Sequence, residues 1–254
     1  MRTFAGAVDI PAMAMVLGAL LIIATANRFS RRGSVLMANQ LLMEMAFLYL
    51  LISAVGLFED VTSFFSFHYI ASGVLLTLAF AAILKIPVLM FCASNDTPPK
   101  VVSVTWKVLG ALLYIVIMIY TATTTTGLDA FVNGHALVFV GISLILISAM
   151  SLLSKSSSVL QDIASQILNI GLVAMAIAIA TAILDLYVIE AMAEVLRFGV
   201  AALLYTVFLH ILLRLLGFAL SDPSQDGFVR LQLLGMGGAV LAACYMVFAA
   251  QSLS

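Results

Sequence analysis

The sequence predicts an all-α, polytopic bundle of about eight transmembrane helices. Three observations predict it. Hydrophobic residues make up 64% of the 254 positions and charged residues 9%, with a mean hydropathy of +1.23, far from the balance of a water-soluble domain. Apolar stretches of about 20 residues, the length that spans a bilayer, recur along the whole chain with short polar breaks between them. Basic residues gather in alternate breaks, as they do where loops stay on one side of a membrane.

The first apolar stretch, residues 9 to 26, follows Met1-Arg2-Thr3 without a small-residue cleavage site and reads as a retained first helix. The second runs from 35 to 57, and the third, from 69 to 93, is interrupted only by Lys85 and Pro87. The fourth, 105 to 124, closes in Thr121 and Thr123 to Thr126, hydroxyls that either bond back to helix carbonyls or line a polar vestibule. The fifth, sixth and seventh cover 131 to 153, 160 to 184 and 196 to 220. The eighth, 229 to 251, carries Gly235, Gly237, Gly238, Ala239, Ala242 and Ala243, a small-residue surface suited to close helix packing.

Breaks after the odd-numbered stretches hold Arg28, Arg31, Arg32, Lys100, Lys107, Lys155, Arg214 and Arg230, whereas the opposite side holds only Arg2 and Arg197. By the positive-inside rule the basic side is cytoplasmic and both termini face outward. Glu59, Asp60, Asp129, Asp185, Glu190 and Glu194 collect on the other side. The turn Asn95 to Lys100 is a polar cytoplasmic connection.

Laid on itself at an offset of 126 residues, the chain matches Gln40 with Gln166, Glu59 with Asp185 and Gly73 with Gly199. At 125 it matches Gly110 with Gly235 and Tyr120 with Tyr245. The match reads either as a tandem repeat, with one four-helix unit over 1–127 and a second over 128–254, or as the chance alignment of two apolar halves of similar composition. An even number of spans in each gives the two units the same orientation, as parallel repeats require.

Composition excludes several functions. A formal net charge of -1 leaves no basic face for nucleic acid. Cys92 and Cys244 sit in apolar stretches, where thiols behave as small hydrophobes. No cysteine cluster, GxGxxG or paired-histidine spacing among His68, His135 and His210 is present, so no cofactor and no metal are expected, and electron-carrying chemistry belongs to other chains.

The chemistry-bearing candidates lie inside the apolar stretches. A lysine at a helix centre costs about 2.5 to 3.5 kcal/mol to insert, so Lys85 needs a partner, a use or a route for its ammonium to the headgroups. Pro87, two residues on, removes a backbone donor and kinks the helix where water or a polar side chain can enter. Glu44 is the acid placed deepest in the second stretch, with Gln40 one turn earlier on the same face. In low dielectric its carboxyl either stays protonated or pairs with a cation, and Lys85 on the next helix is the candidate. His210 falls one position before the repeat equivalent of Lys85 and reads as a relay group or a hydrogen-bonded core histidine. Arg214, four residues later, is expected to reach the cytoplasmic surface. Gln166 and Asn169 are expected to hydrogen-bond across helices.

These residues resemble a known family, hydrogenase-4 component E, a relative of the small complex I membrane subunit K. The resemblance rests on Ala26-Asn-Arg-Phe-Ser-Arg-Arg32, on Gln40, and on Leu78-Ala-Phe-Ala-Ala-Ile-Leu-Lys85-Ile-Pro87-Val-Leu-Met, where the family similarly has a buried lysine followed by a proline. It resumes at Ser154-Lys-Ser-Ser-Ser-Val-Leu-Gln161 and Asn169-Ile-Gly171-Leu, covering about two thirds of the chain. The family's second-half glutamate is replaced by apolar residues around Leu168, while Glu44 appears in the first half, and the fourth and eighth helices are additions to the usual pattern.

The resemblance implies a non-redox, multi-pass subunit of a complex I-like assembly in a bacterial inner membrane, beside antiporter-like membrane subunits and peripheral redox subunits. Glu44 and Lys85 would then exchange protons, His210 would continue the path, and Gln40 would orient them. A free-standing transporter or channel made of two parallel four-helix repeats is the alternative, and a scaffold whose polar residues only pack helices is a third.

Overall fold

The computed structural model describes residues 10–59, 81–85, 102–125, 127–154, 158–184, 188–218 and 237–240. The described residues are helical apart from short turns, with no strand among them. The helices are α1 (Ile10–Ala26), α2 (Arg31–Glu59), α3 (Val104–Thr125), α4 (Gly134–Leu153), α5 (Val159–Leu184) and α6 (Ile189–Leu216), with a 3-10 turn at Asp129–Phe131. Residues 81–85 and 237–240 are also helical. Four helices, α3 to α6, are long and apolar enough to cross a membrane, and α1 and α2 contain the shorter apolar runs Ala14–Ala26 and Leu41–Gly56. The third and eighth expected spans lie outside the described residues except for those two fragments, as do Pro87, Cys92, Cys244 and His68.

Neighbouring helices alternate in direction. A Cβ on Gly110 would meet Ala26, one on Gly18 would meet Ile117, and Thr121 reaches the Met15 sulfur at 4.0 Å, so α1 and α3 are antiparallel. The tight turn at 27–30 makes α2 antiparallel to α1, and α2 and α3 therefore run the same way, the relation one crossing between them would give. On the other side, Gly171 faces Leu203 and Gly199 faces Ala178, so α5 and α6 are antiparallel. Phe139 of α4 meets Phe198 of α6 edge-on at 5.8 Å.

The centre of the bundle is α6. Of its apolar window 67% is buried, against 17% for α4, and it packs on α2, α3, α4 and α5. The outward faces of α3 and α4 carry Leu112, Val116, Ile142, Ile145 and Leu146, apolar groups that hydrocarbon chains solvate at no cost. The helices α5 and α6 also approach closely, where Gly171 and Gly199 replace side chains with backbone. A Cβ at Gly199 would lie 2.5 Å from the Ala178 Cβ, whereas one at Gly141 on α4 meets nothing within 4 Å. Gly199→Leu is therefore expected to destabilise the bundle by about 1 to 3 kcal/mol, and Gly141→Leu to leave thermal unfolding in detergent unchanged. By contrast, Gly237 and Gly238 show no such tightness: a Cβ on Gly237 would be in ordinary contact with Phe47 at 3.6 Å, and one on Gly238 meets nothing.

Local chemistry sets the end of α3 and the start of α4. Thr121, Thr123, Thr124 and Thr125 bond back to carbonyls three or four residues earlier, so these hydroxyls serve the helix end. Thr126 lies outside the described residues. The Asn133 side chain caps α4 by accepting from the Ala136 N–H at 3.0 Å. The 127–133 connection is pinned to α6 by Arg197, which donates to the Ala130 carbonyl at 3.1 Å, and by the Tyr205 hydroxyl, which bonds Phe131 and Asn133.

Candidate functional site

The last two turns of α6 hold the site, and what ends that helix fixes its geometry. Gly217 adopts φ 97, and the N–H groups of Gly217 and Phe218 bond the carbonyls of Arg214 and Leu213 at 3.0 Å, closing the helix in a Schellman turn. His210 and Arg214, four residues apart, thus project from one face of a terminated and enclosed helix. Opposite them α2 presents Glu44, the fourth residue of its apolar run Leu41–Gly56.

The three side chains are enclosed: Glu44 is 2% exposed, His210 1% and Arg214 4%. Arg214 Nη1 donates to Glu44 Oε1 at 2.5 Å, a charge-assisted bond between buried groups. The second carboxylate oxygen, Oε2, faces His210 Nε2 at 3.8 Å. At the far side of the imidazole, Nδ1 lies 3.2 Å from the Ala164 carbonyl in the first turns of α5. A carbonyl can only accept, so this contact places a ring proton on Nδ1, and Nε2 is the ring nitrogen nearest the carboxylate. The arrangement has a place for one further proton. On Nε2 it makes an imidazolium beside a carboxylate; on Oε2 it makes a carboxylic acid beside an imidazole.

The surroundings are dry. Leu41, Leu48, Val207, Ile211 and Leu215 are at most 1% exposed. Tyr114 of α3 is fully buried, stacks on Phe208 at 5.1 Å and directs its hydroxyl to the Phe208 carbonyl at 3.4 Å. It lies within electrostatic reach of Glu44. Charges this far from water interact strongly and must balance, which an Arg-Glu pair does.

Of the residues singled out in the sequence, the structure brings Glu44 and His210 together. The cation on the carboxylate is Arg214, which was expected at the surface. It stays inside because α2 supplies a carboxylate within its reach, and leaving that pair would strand Glu44 in low dielectric. Lys85 is half-buried at the end of the 81–85 helical turn. Gln40 lies on α2 with its side chain outside the described residues. Gln166 and Asn169 bond each other along α5, with Asn169 Nδ2 donating to Gln166 Oε1 at 2.8 Å, rather than reaching across to a described helix through this contact.

Two participants were missed. Arg214 had a signal, because it shares a face with His210 and the nearest deep acid had no settled counter-charge. Tyr114 had none, being one aromatic among many in an apolar helix. Glu44 and Tyr114 belong to the first expected repeat and Ala164, His210 and Arg214 to the second, so both halves of the chain build the site. Comparison with protein-family models, with curated proteins and with solved structures finds no match to this chain.

Proposed function

We propose that the chain is a non-redox integral membrane subunit of a complex I-like or membrane-hydrogenase-like assembly, in which the Glu44, His210 and Arg214 cluster takes up and releases protons during translocation. One observation carries the reading: His210 Nε2 lies 3.8 Å from Glu44 Oε2 while Arg214 holds the other carboxylate oxygen. Such an arrangement exchanges a proton with little motion and keeps a fixed positive charge beside it. Lys85, with Pro87 after it, would pass protons onward, and antiporter-like and peripheral redox subunits would supply the rest of the path and the electrons. The assembly would sit in a bacterial inner membrane, a setting that suits a chain whose described residues include four helices long and apolar enough to cross a bilayer.

A second reading, an autonomous transporter, is favoured by the position of the cluster between the two expected repeats, where transporters place their sites. Purification of the tagged chain in mild detergent from its own membrane separates the two. Antiporter-like and iron-sulfur subunits are expected to accompany it, and a homogeneous single species that transports an ion would overturn the assembly. Within the assembly, Lys85→Met is expected to stop proton movement into inverted membrane vesicles while every subunit remains; retained movement would remove Lys85 from the path.

A further inference from the structure

The outward side of α4 and α5 carries polar groups at a depth where hydrocarbon would surround them. A groove of about 630 Å³ runs between the two helices, and its polar lining includes Ser143, Ser151, Asp162, Ser165, Gln166 and Asn169. Gln166 and Asn169 stand about 10 and 15 Å along α5 from its start. Lipid tails offer an amide no partner, so polar side chains in spans normally face other helices or water. The serine hydroxyls are settled locally: Ser143 bonds the Phe139 carbonyl, Ser165 the Asp162 carbonyl, and Ser151 donates to Asp162 Oδ2 at 2.5 Å. Gln166 differs, since its side chain is exposed, its oxygen accepts from Asn169, and among the described residues its amide nitrogen donates to nothing.

We infer that this groove seats one transmembrane helix of a different membrane subunit, a helix with hydrogen-bonding side chains one turn apart. The inference rests on the proposed membership of an assembly and names the face through which the chain joins it. From Asp162 to Val173 the groove extends about 16 Å along α5, the rise of three helical turns. Its floor presents the amides of Gln166 and Asn169, a lining that hydrogen-bonding side chains complement and an acyl chain does not. A second copy of this chain is a poor occupant, because a two-fold axis along the membrane normal would set Asp162 against Asp162 at equal depth.

The test places a photo-crosslinking amino acid at position 166 in the native assembly, with Val116 on the outward face of α3 as the control position. Position 166 is expected to mark one peptide from a membrane span of another subunit, and position 116 to mark lipid. In parallel, Gln166→Leu with Asn169→Leu is expected to deplete that subunit from the purified assembly about tenfold. The amount of this chain in the membrane should not fall, because the change removes polar atoms from a surface that then faces lipid. Crosslinks at 166 only to lipid or to a second copy, or an undiminished subunit in the leucine variant, would overturn the groove assignment. An intact assembly giving that result leaves the proposed function standing, whereas a chain that purifies alone removes the proposed function and this inference together.

Discussion

Arg214→Leu is expected to cost the isolated chain about 3 kcal/mol of stability, and Glu44→Leu with Arg214→Leu to recover most of it. The single change leaves the Glu44 carboxyl in a site 2% exposed to solvent, with its 2.5 Å partner gone. The carboxyl limits the penalty by taking up a proton, which is why the loss stays near the lower end of what a stranded buried charge costs. Replacing both groups by leucine exchanges a desolvated ion pair for apolar contact with Leu41, Leu48 and Ile211, a change that is often neutral or stabilising. Thermal unfolding in detergent reads the difference between single and double variants. Proton movement into membrane vesicles should be absent in both, because neither retains the exchanging carboxylate in its charged frame. A double variant less stable than either single would mean that the pair is not the unit described here.

His210→Asn separates relay from packing. Asparagine can still donate to the Ala164 carbonyl, which Nδ1 approaches at 3.2 Å, and it leaves the Arg214 to Glu44 bond in place. It removes only the basic nitrogen that faces Oε2 at 3.8 Å. A group that transfers a proton in the rate-setting step is worth about a hundredfold or more, so proton movement should fall by about that factor with subunit content and unfolding temperature nearly unchanged. Movement at the original rate would make His210 a core histidine.

The all-helical, membrane-spanning character of the described residues was legible because a bilayer imposes one strong rule, that a span must be long, apolar and hydrogen-bonded within itself. The stretch expected at 160 to 184 is α5, Val159–Leu184, and that expected at 105 to 124 is α3, Val104–Thr125. Boundaries shifted where local chemistry overrides hydropathy. The seventh stretch, expected at 196 to 220, is α6 at Ile189–Leu216: Gly217 stops it early, and its first turns continue through Glu190 and Glu194, charged residues that an apolar window leaves out. The fifth, expected from 131, starts at Gly134 because the 3-10 turn and the Asn133 cap come first.

The site was half legible. Glu44 and His210 stood out because an ionisable group inside an apolar run is expensive. Their pairing was not legible, since Glu44 and Arg214 are 170 residues apart and only the packing of α2 on α6 joins them. Arg214 lies within one turn of a helix end, where a long cation reaching for headgroups and one turning inward to a carboxylate have the same sequence. Gln166 and Asn169 were expected to hydrogen-bond across helices, whereas they bond each other along α5, and which surface they occupy depended on how α4 and α5 pack.

The most direct test of a proton shared between Glu44 and His210 is pH-dependent infrared difference spectroscopy of the purified protein, with Glu44→Gln and His210→Asn as subtractions. One carboxyl signal is expected to titrate, to vanish in Glu44→Gln and to shift in His210→Asn, because the two groups compete for the same proton. A Glu44 carboxylate signal that stays constant with pH, and that His210→Asn leaves unmoved, would contradict proton exchange at this site.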